Sequence, residues 1–424
     1  MPSASNEILY LRDKKTADMR RHRYLFLIIY IVAFCLLTSL IPLYGDPAVV
    51  FWTSRVMSLT GFPYDPVCSE SVMDALGSSE LVLCVRAPLY YLLLGFLGEH
   101  YKILLISLFM TYSLLQALLA RELEMRLSAI SLMFPPIYLL FSRTYVDGLT
   151  AVISTTLILA ILWKDKSRRL SKLLLFSCPL LMVLTRETAM LLPLFLAALT
   201  LFRRRVGKDL GLMAAGWLAG MLLYGAFIEV SSGAAYSDLQ PHLPSGFEVY
   251  AAAMNVLTPI LPWEVHREDI ASYLPLQLDQ NILGLMTFLV RAFVSVLSFL
   301  VLAPIIFFFK RWRDADRVIK AQLVFALLMM GGILLVKGYL DFFRHTSYLL
   351  AIAAPILETG LSELKKASKA MSYIVEVAYI ILFLLWGVRV IRLHLSGYSF
   401  DACSYLLKRP EISSKWFFYE TACR

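Results

Sequence analysis

The chain has 424 residues, 59% of them hydrophobic and 17% charged, with a net charge of +9 and a mean hydropathy of +0.69. An ordinary soluble domain is near half apolar and about a quarter charged, so that class is excluded, and the lack of short alternating segments excludes a membrane β-barrel. The positive charge does not indicate nucleic acid, because it is gathered in short clusters between apolar runs: Arg12 to Arg23, Lys164 to Lys172, Arg203 to Lys208, Lys310 to Lys320 and Lys365 to Lys369. Placing all five on one side satisfies the excess of Lys and Arg in cytoplasmic loops.

Apolar runs of about 17–25 residues, each long enough to cross about 30 Å of hydrocarbon, recur along the chain. The expected class is an all-α polytopic membrane protein with about eleven transmembrane helices, in a range of roughly nine to thirteen. They are expected near 24–43, 103–120, 128–141, 148–163, 173–185, 189–202, 209–229, 286–309, 321–337, 346–357 and 373–391. The first follows Arg20, Arg21, His22 and Arg23 and reads as a retained signal anchor, with the N-terminus cytoplasmic. The third, fifth, sixth and tenth runs are short, and Pro135-Pro136 and Pro179 interrupt two of them. Such runs suit broken or re-entrant segments that line a cavity.

Two long segments fall on the outer side, about 45–102 and about 230–285, followed by an outer tail from 392 to 424. The first is expected to be partly helical. Asp46 before Pro47 has the order of an N-cap and first helical residue. Val49, Trp52, Val56 and Leu59 share a face suited to the headgroup layer. Gly61-Phe62-Pro63 ends that helix, and Pro88 opens a second short apolar piece. Of six cysteines, Cys68 and Cys84 share the first outer segment and Cys403 and Cys423 share the tail. Even numbers per segment suit local disulfides in an oxidising compartment. No Walker or Rossmann glycine loop, HExxH or GxSxG pattern is present.

Charged groups at membrane depth or at span ends invite explanation. Asp46, Arg86, Asp147, Arg186, Glu187, Lys337, Asp341, Arg344 and His345 all fall on the proposed outer face. Asp46 reads as a general base or as a helix cap, and Asp147 as a second acid or another cap. Arg186-Glu187 reads as a local ion pair or as a contact for phosphate or sugar. Arg344 reads as an interfacial anchor or as a phosphate ligand, since a guanidinium forks onto two oxygens.

The order of these pieces resembles the integral-membrane glycosyltransferases of the GT-C type, among them protein O-mannosyltransferases, GPI mannosyltransferases and lipid A aminoarabinose transferases. The resemblance rests on Gly45-Asp46, on Gly61, Pro63 and Tyr64, on Pro88 to Tyr91 and on the turn acid Asp147. It continues through Thr185-Arg186-Glu187 and through Arg344 with Tyr348 to Leu350 and Pro355. It implies one transmembrane domain over 1–391, carrying its active site on the extracytoplasmic face of the cell membrane. The implied reaction moves a sugar from a polyprenyl-phosphate donor to a glycan, lipid or protein acceptor. Asp46 and Asp147 would be catalytic, and Arg344, Arg186 and Lys337 would hold the donor phosphate. Tyr64, Arg86, Tyr90, Glu187 and Asp341 would bind substrate. The resemblance fixes no cofactor and leaves room for a divalent cation. A secondary transporter or a flippase for lipid-linked sugars is the alternative, with the same charges lining a path.

Overall fold

The computed structural model describes residues 25–42, 46–65, 68, 83–163, 167–202, 207–231, 233–235, 280–337 and 347–397. The described residues are almost all helical. In chain order they form α1 (Leu25–Leu40), α2 (Asp46–Thr60), α3 (Pro88–Leu97), α4 (Tyr101–Glu122), α5 (Ala129–Leu132), α6 (Pro135–Phe141), α7 (Val146–Leu162) and α8 (Arg168–Thr185). Next come α9 (Leu192–Phe202), α10 (Gly207–Ser231), α11 (Gln280–Phe308), α12 (Arg317–Lys337), α13 (Ser347–Leu350), α14 (Ala353–Ala367) and α15 (Lys369–Leu395). Two short strands, β1 (Cys84–Val85) and β2 (Ala234–Ala235), pair in parallel.

Among the described residues, three helical stretches are long and apolar enough to cross a membrane: Pro88–Glu122, Gly207–Ser231 and Lys369–Leu395. The pair α6 and α7, bent by 118°, makes a fourth if it is one broken span. This all-α, strongly apolar architecture is consistent with a membrane protein.

Two predicted runs prove to be broken helices. In the first, α5 is capped by Ser128, whose hydroxyl accepts from the Ser131 N–H, and ends within one turn. The chain restarts as α6 with Pro135 and Pro136 in its first turn, where a missing N–H leaves no bond unmade. Every residue of α6 is buried, so this piece lies inside the protein. In the second, α13 stops after four residues, the backbone turns at Ala351-Ile352, and α14 runs on to Ala367. The predicted headgroup face of α2 is also split. Val56 is buried with Tyr64 and Val85, whereas Leu59 is exposed. The cause is Gly61, at φ 82, which turns Phe62 to Tyr64 back towards the end of the helix.

An aromatic centre joins α1, α4, α6 and α15. Phe34 stacks on Phe109 with centroids 3.8 Å apart, and Tyr138 packs on Phe383 and Trp386. The Tyr30 hydroxyl in this layer donates to the Leu132 carbonyl at 2.6 Å, since a buried phenol needs a partner. Farther along, α14 crosses α11 with Gly360 directly against the Pro304 carbonyl. Small residues permit such close backbone approach. The Tyr379 hydroxyl donates to the Val301 carbonyl at 2.8 Å beside this crossing.

Candidate functional site

The candidate site is assembled at three helix starts and one helix junction. Asp147 is the second residue of α7, and its carboxylate pairs with the guanidinium of Arg186. Their side chains are 5% and 12% exposed, so the charges meet largely out of water. Arg186 stands in extended backbone between α8 and the 3-10 turn Glu187–Leu191. That conformation lets its side chain leave the helical stack. Its Nη1 also donates to the Ser347 hydroxyl at 3.1 Å, at the first residue of α13. One residue on, the Thr188 and Tyr348 hydroxyls share a hydrogen bond of 3.1 Å.

Glu187 points the other way. Its Oε1 accepts the Ala87 N–H at 2.9 Å. Ala87 precedes α3 and brings no side-chain cap of its own, so a distant carboxylate does that work at the positive end of the helix dipole. Next to it, Arg86 forks onto Asp65 Oδ2 at 2.8 and 2.6 Å through Nε and Nη2. Asp65 Oδ1 in turn accepts the Cys68 N–H at 3.1 Å. A disulfide joins Cys68 to Cys84, with Cα atoms 6.0 Å apart. β1 therefore begins at a cross-link and continues into the pairing with β2. Tyr64 completes this clasp by bridging to Val85 and donating its hydroxyl to the Ser231 carbonyl at 2.9 Å. Burial pushes the Tyr64 hydroxyl above its ordinary pKa and keeps it a donor.

The structure thus draws Asp147 and Arg186 together and links Glu187 to the Arg86 segment. Arg86 ties the Asp65 and Cys84 segments together within residues 45–102, and Tyr64 ties that stretch to Ser231 at the end of α10. Tyr90 is fully buried on α3, and its hydroxyl has no hydrogen-bond partner among the described residues. Asp46 opens α2 at the end opposite the Pro63–Arg86 contact, about 22 Å along a helix of 15 residues. The side chains of Asp46 and Lys337, and all of Asp341, Arg344, Cys403 and Cys423, lie outside the described residues.

No protein-family model, curated protein or solved structure matches this chain.

Three site partners escape a reading of the sequence: Asp65, Thr188 and Ser347. Asp65 stands in Tyr64-Asp65-Pro66, three residues before Cys68, where it reads as an ordinary loop residue. Thr188 and Ser347 are small hydroxyls at helix starts, a common and uninformative place for them. As to metals, no group of three His, Cys, Asp or Glu side chains converges among the described residues. The Asp147 carboxylate is already matched by a guanidinium, so these residues do not fit a divalent cation. A separate cleft of about 620 Å³ runs along α14 from Pro355 to Lys366, lined in part by Arg126, Arg311, Glu358 and Glu363.

Proposed function

We propose that the chain is a multi-pass membrane glycosyltransferase with about eleven spans, its basic clusters cytoplasmic and its active site on the extracytoplasmic face. Its donor is a polyprenyl-phosphate sugar, and its acceptor is a hydroxyl of a glycan, lipid or protein. The observation that carries this reading is Arg186, a permanently charged fork held in a largely buried setting by Asp147 and Ser347. Such a group suits a phosphate whose negative charge grows as the sugar departs. The resemblance of the loop pattern to GT-C enzymes supports the same reading.

In the proposed reaction the acceptor oxygen attacks the anomeric carbon as the bond from that carbon to the phosphate oxygen breaks. The acceptor proton passes to Asp46. The leaving polyprenyl phosphate keeps the electron pair, and Arg186, with Arg344 and Lys337, offsets its charge. In this reading Asp147 is the counter-ion that offsets the largely buried charge of Arg186 and orients its guanidinium.

The test is sugar transfer by the purified chain from a polyprenyl-phosphate sugar, in wild type and in Asp46→Asn. The Asn side chain still caps a helix, so folding is expected to survive while transfer falls by about 10²–10⁴-fold. Wild-type turnover in the folded variant would remove Asp46 from the mechanism. Absence of transfer by wild type from any such donor would remove the enzyme reading itself.

A further inference from the structure

Three buried polar side chains converge on the break between α13 and α14. Tyr112 and Gln116 lie one turn apart on α4 and are fully buried, and Gln322 on α12 is 3% exposed. Gln322 Nε2 donates to the Tyr348 carbonyl at 2.7 Å. The Tyr112 hydroxyl donates to the Leu350 carbonyl at 2.9 Å. Gln116 Nε2 donates to the same carbonyl at 3.0 Å, with the Ala351 carbonyl at 3.3 Å and Thr155 Oγ1 at 3.2 Å. Gln116 Oε1 accepts the Ala354 N–H at 2.9 Å. One glutamine side chain therefore serves both sides of the break.

A helix of four residues is too short to sustain itself, and its last carbonyls have no partner within the helix. In a dry interior such groups must be satisfied by neighbouring protein. An unbroken helix through 347–367 would need none of these three side chains, so the break is a built feature. Its other end carries the site. Ser347 holds Arg186 at 3.1 Å, and Tyr348 holds Thr188 at 3.1 Å. Gln322 reaches the backbone of the same Tyr348 whose hydroxyl meets Thr188.

We propose that Tyr112, Gln116 and Gln322 are positioning residues: by fixing α13 they set where Ser347 and Tyr348 hold the Arg186–Thr188 segment, and so how tightly that segment takes a lipid-linked phosphate. The phosphate half of this inference rests on the transferase reading; the positioning half does not.

The experiment compares wild type with Gln116→Met and Gln322→Met in the full chain, in lipid nanodiscs. It follows hydrogen exchange at 347–354 and at 186–191, thermal unfolding, and binding of undecaprenyl phosphate. In both variants exchange is expected to quicken by about tenfold or more in the two segments together. Affinity for undecaprenyl phosphate should fall roughly tenfold. With a sugar-loaded donor the loss should appear in kcat/KM, by roughly tenfold or more. A change in thermal unfolding alone, with exchange at 186–191 and affinity as in wild type, would reduce these residues to packing and overturn the inference. If wild type binds no undecaprenyl phosphate, the transferase reading falls, and exchange at 186–191 alone decides the positioning claim. If Gln116→Met does not fold, Gln322→Met, which loses a single bond, carries the same comparison.

Discussion

Arg186 donates to the Ser347 hydroxyl at 3.1 Å and thereby joins the α8–α9 junction to α13, elements far apart in the chain. The hydroxyl is neutral, so Asp147 is the charge that balances the guanidinium. Removing one member of a buried pair leaves the other charge unmatched, whereas removing both leaves none. Asp147→Asn is therefore expected to destabilise the protein by about 3–5 kcal/mol. The double variant Asp147→Asn with Arg186→Met should lose less than the sum of the single losses. Thermal unfolding of the four proteins in detergent measures this, and strict additivity would count against a coupled pair.

At the crossing of α11 and α14, a methyl group on residue 360 would fall on the Pro304 carbonyl. The helices would have to part, since a backbone oxygen cannot rotate away. Gly360→Ala should cost about 1–3 kcal/mol or more through overpacking, read as a lower unfolding temperature or lost expression. Gly331, which has open space around it, is the control; there the alanine should be neutral or slightly stabilising.

Cys68 and Cys84 are 4% and 0% exposed and close a short loop, with a sequence separation of 16. Replacing both by serine is expected to cost up to about 3 kcal/mol in the chain-entropy account. Reductant should have little effect on the folded wild-type protein, because the sulfurs are covered. Thiol labelling at these two positions before unfolding would contradict the burial.

Glu363 accepts from Arg311 Nε at 2.8 Å and from Lys366 Nζ at 2.6 Å. Lys366, then Arg311, hold its carboxyl below its ordinary value of 4.5. The folded form therefore keeps the ionised carboxylate to lower pH than the unfolded chain does. The stability from this cluster is fully present above pH 4.5 and is lost as pH falls through the lowered value. Thermal unfolding followed from pH 6 to pH 3 should show this component in wild type and not in Glu363→Gln.

Much of the fold is written in its apolar runs. α7, α10, α12 and α15 coincide within a few residues with runs near 148–163, 209–229, 321–337 and 373–391. The break at Pro135-Pro136 follows from proline chemistry alone. Gln116 and Gln322 were invisible, because one amide within a long apolar run barely changes its hydropathy and has no periodicity. Asp147 and Arg186 stand out individually as charges at span ends. Their pairing does not, since it depends on how α7 and α8 pack, which neither local pattern records. Asp65 was hidden by its setting in a loop, where an acid needs no partner.

The parallel pairing of β1 with β2 spans everything from α3 to α10. Parallel neighbours cannot be joined by a tight turn, so here the whole intervening helical assembly is the crossover. During synthesis the segment of Cys68 and Cys84 is made well before its partner strand. β1 can complete this pairing only once the residues that follow α10 have been made. A chain stopped before Ala234 would therefore lack this pairing, whatever the state of α3 to α10.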